Sequence, residues 1–413
     1  VIRVTDVIAA PVRSGFFRDD QARIVAGAAH DGFLYEGDPL TPGFTAVREA
    51  GQALSILLVL EDGRTAVGDC AEVQYPGVGG RDPVFDSLAA QEEVERIIAP
   101  VLIGREIDGF RGIAGRIDAL PGLSTPVRYG ISQALLSAAA QGAGMTMAEL
   151  IRDEYATGIR LTPVPLYAQS GDERYTNVDK MILKRVDALP HGLINDREHL
   201  VGPRGELLLE YVAWVRNRIL HLADDDYVPT IHLDLYGTIG LAFDGSLPEI
   251  AGFLERLGRT AAPFPFRAEH PLDAGGRSEQ IAAFAQLRAL LAERGSDVQI
   301  VADEWCNTLD DIRAFIAGRA ADMIHVKTPD LGGLGNTIDA LLEVRRAGLG
   351  AFCGGTCNET DVSAIATAHV AMAVGADQLL AKPGMGVDEG VMVVGNEMAR
   401  VTALAKRRTF FHS

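Results

Sequence analysis

From about residue 160 the chain repeats one pattern, a short apolar stretch, a turn and an amphipathic helix, and no other feature narrows its fold so far. The stretches that read as strands are Val164 to Ala168, Lys180 to Leu183, Thr230 to Leu235, Phe264 to Ala268, Val298 to Ala302, Asp322 to Val326, Gly350 to Cys353 and Gln378 to Ala381. Strands that alternate with helices pair in parallel, because each crossover returns the chain to the same end of the sheet. Eight of them predict an α/β fold of the closed (β/α)8, TIM type. The helices between are periodic: Leu208, Val212, Val215, Ile219 and Leu222 recur at spacings of four and three, as do Ile281, Phe284, Leu287 and Leu291. Such spacing gives each helix one apolar face to lay on the strands.

The residues before this repeat have another texture. A chain of 413 residues is long for one core, so the division expected is an N-terminal α+β domain over 1–160 and a C-terminal barrel over 161–413. Val1 to Ala10 reads as a strand, and Leu54 to Leu60 with Thr65 to Cys70 as a hairpin turning at Asp62-Gly63. Ala26 to Gly37 and Gln74 to Pro83 are Gly-rich and lack a period, as loops reaching over a site would be. Helical patterns cover Asp86 to Ile98, Val127 to Ala140 and Met147 to Tyr155.

Lys and Arg number 38 against 56 Asp and Glu, a formal charge of -18 that argues against nucleic acid or an anionic membrane as partner. With no run of about 18 apolar residues and no signal-peptide pattern at the start, the expectation is a cytoplasmic protein. Cys70, Cys306, Cys353 and Cys357 are too few and scattered for a disulfide framework. The spacing of Cys353 and Cys357 could hold zinc, but no second Cys/His pair lies at ligand distance in sequence.

The strand ends carry the chemistry. TIHLDL places Asp234 at the end of one strand, RAEHP places Glu269 at the end of the next and VQIVADE places Asp303 at the end of the third, 35 and 34 residues apart, and Lys327 comes 24 later, on the strand face it shares with His325. One βα unit separates each from the next, so all four project from the carboxyl-end rim, where such barrels place their active sites. Three carboxylates on one rim repel unless a cation sits among them, and oxygen donors favour Mg²⁺, with Mn²⁺ as a substitute. Each acid taken alone reads equally as a helix cap or an Arg partner, and the Lys as a side chain reaching solvent. Together they fit removal of a proton next to a carboxylate, with Lys327 as the base and its pKa lowered to about 7–8.

Longer segments then carry a resemblance. GAAHDGFLYEGDPLTPGFTAVR, GDCAEVQYPGVGGRDP, VRYGISQALL, AQSGDERY, VDKMILK, LPHGLIN, HLDLYGTIG, VADEWCNT, KTPDLGG, GGTCNET and AKPGMGVDEG together resemble the enolase superfamily and, within it, the 3-methylaspartate ammonia-lyases. The resemblance runs nearly end to end. It implies a capping domain over the barrel, a homodimer, Mg²⁺ with K⁺ as monovalent activator, and reversible elimination of ammonia from the amino diacid L-threo-3-methylaspartate to give mesaconate, as in glutamate degradation. Carried over residue by residue, Asp234, Glu269 and Asp303 match the metal ligands and Lys327 the base at C3. His191 matches the residue on the opposite face, which serves the other C3 diastereomer. Gln74, Gln169, Thr356 and Cys357 match substrate contacts, and Leu380 a pocket wall that limits the group on the amine.

Two positions depart from the family. His325 stands where a Gln donates to a substrate carboxylate, and His270 where a Gly follows the second metal ligand. His325 can donate as well, with a different size and reach. It keeps open a dehydration or racemisation of a related diacid on the same metal site. A Schiff base on Lys327 and a binding module without turnover are the remaining rivals.

Overall fold

The computed structural model describes residues 1–78 and 81–412, so Gly79 and Gly80 of the expected loop Gln74 to Pro83, and Ser413, lie outside the described residues. The N-terminal sheet is built from β1 (Ile2–Asp19), β4 (Arg48–Leu60), β5 (Thr65–Ala71) and β6 (Glu106–Ile107), in the order β5-β4-β1-β6. β4 and β5 form the expected hairpin, with Val59 opposite Thr65 across the Asp62-Gly63 turn. Leu54, Ile56, Leu58 and Leu60 alternate onto one buried face of β4, as a half-buried strand requires. That sheet packs on the helix Thr125–Ala143. The approach is close: a Cβ on Gly68 would lie 2.1 Å from the Gly130 carbonyl, so both surfaces depend on the missing side chains. Ala26 to Gly37 is not wholly irregular; it holds a small hairpin of β2 (His30–Asp31) and β3 (Leu34–Tyr35).

Eight parallel strands close the barrel: β7 (Leu166–Ala168), β8 (Ala188–His191), β9 (Thr230–Asp234), β10 (Phe266–Glu269), β11 (Gln299–Ala302), β12 (Met323–Val326), β13 (Gly350–Cys353) and β14 (Gln378–Ala381). Seven of these fall where periodicity placed them. The second does not: Lys180 to Leu183 ends the helix Thr176–Leu183, whose Val178, Met181 and Ile182 are buried, and the strand is Ala188–His191. Pro190 disguised it, since a residue without an N–H argues against a central strand. Tyr167, Ala188, Val301, Met323, Phe352 and Leu380 fill the barrel interior as one apolar plug, leaving the residues beyond them at the carboxyl-end rim. Among the described residues no helix is long and apolar enough to cross a membrane.

Candidate active site

The rim above this plug is a cleft lined by Gln74, Gln169, His191, Asp234, Glu269, His325, Lys327, Thr356, Cys357 and Leu380. Ten of the eleven residues singled out from the sequence therefore face one space. The eleventh, Asp303, stands directly behind Lys327, with Oδ1 2.8 Å from Nζ and Oδ2 accepting a hydrogen bond at 2.9 Å.

One wall of the cleft is dense with charge. Lys327 shares its surroundings with Asp303, Glu304, Asp330 and Arg81, whose guanidinium is 2% exposed. Arg81 comes from the N-terminal half, in the stretch expected as a loop, and donates from Nε to Asp330 at 2.9 Å. Its other nitrogens lie 3.5 Å from Glu304 and 3.8 Å from Asp303. Burial and Arg81 both favour an uncharged Lys327, but Asp303, Glu304 and Asp330 outweigh them and hold the amine above the usual lysine value. The lowering expected from the sequence is thus not supplied by the protein's own groups. For Asp303, burial opposes the charge, yet Lys327, His325 and Arg81 hold the carboxyl well below the usual range.

Glu269, Asp303 and His325 offer ligand atoms within 4.8 Å of one another, all buried. Glu269 sits between two histidines. His325 Nε2 accepts the Gly355 N–H at 3.1 Å, which places a proton on Nδ1, 2.6 Å from Glu269 Oε1. His232 Nδ1 accepts from Gln378 at 3.1 Å, and its Nε2 donates to Glu269 Oε2 at 2.9 Å. Burial works against the charge on Glu269, but His325 and His232 hold its carboxyl down to about 2. An ionised carboxylate with spare lone pairs, beside Asp303 whose Oδ1 lacks an aligned hydrogen bond, is a donor set that fits a hard divalent cation. Asp234, opposite Glu269 in the β9–β10 register, stands outside that group of three. Burial raises its carboxyl, helped by Glu269.

The opposite wall is sparse. His191 ends β8 with φ 68°, its Nε2 is 3.5 Å from Asp234 Oδ2, and its Nδ1 is buried without a hydrogen-bond partner. Its neighbours are aromatic, Tyr167 at 5.9 Å and Tyr236 at 6.2 Å between ring centroids. Tyr236, His270 and Trp305 also take left-handed backbone just past strand ends, at φ 47°, 45° and 65°. Such conformations cost about 1–3 kcal/mol each and gather where function demands them. They also explain one departure from the family: at His270 the backbone is one that glycine adopts freely. Its ring lies 3.3 Å from Glu304. The other departure has its own accommodation, since a Cβ on Gly354 would lie 1.8 Å from His325 Nε2.

The remaining contacts line the roof and back. Gln74 is tied to the barrel through its N–H on Thr356 Oγ1 at 3.1 Å, and Cys357 Sγ lies 3.5 Å from Gln74 Oε1. Burial pushes the Cys357 thiol up to about 12, so it remains protonated and serves as a weak donor. Gln169 lies 3.4 Å from the Gly384 carbonyl at the far end of the cleft. Under the Thr356-Cys357 turn, Lys382 donates to Glu359 at 2.6 Å and Tyr129 donates to the same carboxylate at 2.6 Å, a fully buried tie between the two halves of the chain. Arg81, His232, Glu304 and this tie were missed from the sequence. Of these only His232 left a signal, because it shares the inward face of TIHLD with Asp234.

Comparison with known proteins places the whole chain in one family. Two family models match the chain, the methylaspartate ammonia-lyase N-terminus over residues 2–156 and the methylaspartate ammonia-lyase C-terminus over residues 158–407. The methylaspartate ammonia-lyase of Clostridium tetanomorphum is 52% identical over 412 residues, 98% of this chain and 100% of the relative. A crystal structure of that β-methylaspartase as its Mg complex superposes with a TM-score of 0.93, covering 98% of this chain and all of the other. The Citrobacter amalonaticus enzyme containing (2S,3S)-3-methylaspartic acid, 47% identical over the same shares, gives 0.95.

Proposed function

Since the chain belongs to the methylaspartate ammonia-lyase family, its reaction is the elimination of ammonia from 3-methylaspartate, and we propose that Lys327 performs the decisive proton transfer. Lys327 removes the C3 proton of the L-threo substrate, the C–H electron pair becomes the C2=C3 double bond, and ammonia leaves C2 to give mesaconate. In the reverse direction the same amine returns the proton. His191 stands on the other side of the cleft and serves the C3 proton of the opposite diastereomer.

Asp234, Glu269 and Asp303 are the residues that would hold Mg²⁺, or Mn²⁺ in its place. His325 is better suited to support Glu269 than to join them, because its Nδ1 proton points at that carboxylate. What the ion supplies when bound is positive charge, which offsets the acids that hold the Lys327 proton and stabilises negative charge on the substrate carboxylate. Gln74, Gln169, Thr356 and Cys357 orient the diacid, and Leu380 closes the apolar side. The residues before about 160 act as a cap, bringing Gln74 and Arg81 onto the barrel rim. From the family resemblance come K⁺ as activator and a homodimer. Faster turnover in K⁺ than in Na⁺ and a solution mass twice the 44.1 kDa chain test these two.

The observation that carries this reading is the pairing of Lys327 with Asp303 at 2.8 Å on the wall of a cleft that the buried acids Asp234 and Glu269 also line. The test is the absorbance of mesaconate after mixing the protein with threo-3-methylaspartate and Mg²⁺. A rise that EDTA abolishes and Mg²⁺ restores is expected. Turnover indifferent to EDTA would overturn the metal assignment.

A further inference from the structure

The hairpin of β2 and β3 has no part in the reaction as described, yet it connects to Gln74 through a chain of hydrogen bonds. Arg48 donates from Nε to Asp19 Oδ1 at 2.8 Å and from Nη2 to Asp19 Oδ2 at 2.7 Å, with both side chains at most 2% exposed. Its third nitrogen, Nη1, donates to the Phe33 carbonyl at 3.0 Å. The rings of Phe33 and Tyr35 lie 4.4 and 4.8 Å from its guanidinium carbon. Hairpin and guanidinium thereby hold the Asp19 carboxylate in one orientation.

Asp19 Oδ2 in turn accepts from Gln74 Nε2 at 3.0 Å, and the backbone repeats the tie, Asp19 N–H to the Gln74 carbonyl at 2.9 Å. A carboxylate paired with a guanidinium only accepts, so the Gln74 amide can meet it only with its NH₂ group. The carbonyl oxygen is left for the cleft, where, among the described residues, it meets a donor, the Cys357 thiol. Gln74 alone could present either end of its amide; beside Asp19 it presents an acceptor.

We propose that Asp19, set by Arg48 and the His30–Tyr35 hairpin, is a positioning residue that fixes the polarity of Gln74, so that this part of the cleft takes a hydrogen-bond donor, the amine of the substrate, and refuses an acceptor. The inference rests on the ammonia-lyase reading of the cleft, and deepens it by naming what selects for the amine.

The test separates the amine from the diacid frame. In the addition direction, KM for ammonia and KM for mesaconate are measured independently in the wild type and in Asp19→Asn, whose side chain keeps its shape but lets the Gln74 amide turn. Loss of one hydrogen bond to a charged group corresponds to about a 10- to 100-fold effect. KM for ammonia is expected to rise by about that factor while KM for mesaconate, which has no amine, stays within about twofold. Equal rises in both, or no rise for ammonia, would overturn the proposal.

A second measurement uses the unaltered protein and needs neither turnover nor a folded variant. Competitive binding of 2-hydroxy-3-methylsuccinate, which can donate at C2, is compared with that of 2-oxo-3-methylsuccinate, which only accepts. The hydroxy acid is expected to bind at least about tenfold more tightly. Equal binding would overturn the fixed polarity even if the wild type made no mesaconate, an outcome that would count separately against the ammonia-lyase reading.

Discussion

The two walls of the cleft hold the two proposed bases, Lys327 and His191, in different ways. Lys327 pairs with Asp303 at 2.8 Å, and Asp303, Glu304 and Asp330 together favour its protonated form against burial and Arg81. His191 has one carboxylate at 3.5 Å, two aromatic neighbours and an unpaired buried nitrogen. The first wall is held by ion pairs, and on the proposed reading a bound cation would offset the acids that keep its proton. The second is held by backbone geometry at φ 68° and has little to restrain the imidazole beyond Asp234. On the proposed reading, the difference makes Lys327 a principal base and His191 a secondary one, rather than two equal partners.

The most direct way to break that comparison is to remove the principal base. Lys327→Ala is expected to lower turnover of the threo substrate by at least about 10²- to 10⁴-fold, the usual cost of losing general-base catalysis. Near-normal mesaconate formation would show that the ion-paired wall does not hold the base.

Next in size is the charge network itself. Arg81→Met leaves the buried Asp303 and Glu304, and the partly buried Asp330, without their guanidinium. Breaking one side of such a network costs about 3–5 kcal/mol, so denaturant unfolding should shift by about that amount. An equivalent truncation on the sparse wall, His191→Asn, should change stability far less. It is expected to leave the threo rate within about tenfold while abolishing turnover of the erythro diastereomer. Equal losses for both diastereomers would make His191 part of the general pocket and erase the distinction between the walls.

A control remote from both walls separates loss of site from loss of fold. Burial opposes the charge on Glu49, but the Thr45 hydroxyl and N–H, Arg18 and the Ala46 N–H hold its carboxyl down to about 2. A carboxyl lowered on folding contributes stability above its unfolded value, and that contribution is lost as pH falls through the folded one. Glu49→Gln should therefore melt a few degrees below the wild type at pH 7 and together with it near pH 2, with turnover unchanged in form. A gap that persists at low pH would assign the effect to packing.

The principal wall was legible in the sequence and the secondary one was not. Asp234, Glu269, Asp303 and Lys327 follow one another at the spacing of successive βα units, so topology alone puts them on one rim. His191 ends the one strand that periodicity misplaced, because Pro190 hides the strand and Met181 to Leu183 imitate it. Without the family resemblance it is a loop histidine. Arg81 and Asp19 left no local trace, since each acts across a long stretch of chain: Arg81 on Asp303 and Glu304, Asp19 on Gln74. His325 was legible as a departure, but its role as a donor to Glu269 depends on the Gly355 amide, which only the folded turn supplies.

The central claim is that each wall serves its own face of C3, and the configuration of the product reads it directly. Mesaconate and ammonia are incubated with the wild type, Lys327→Ala and His191→Ala, and the threo and erythro products are resolved by proton NMR. His191→Ala is predicted to give threo product alone, and the slow residual product of Lys327→Ala to be enriched in erythro. The same threo-to-erythro ratio in all three proteins would contradict the account.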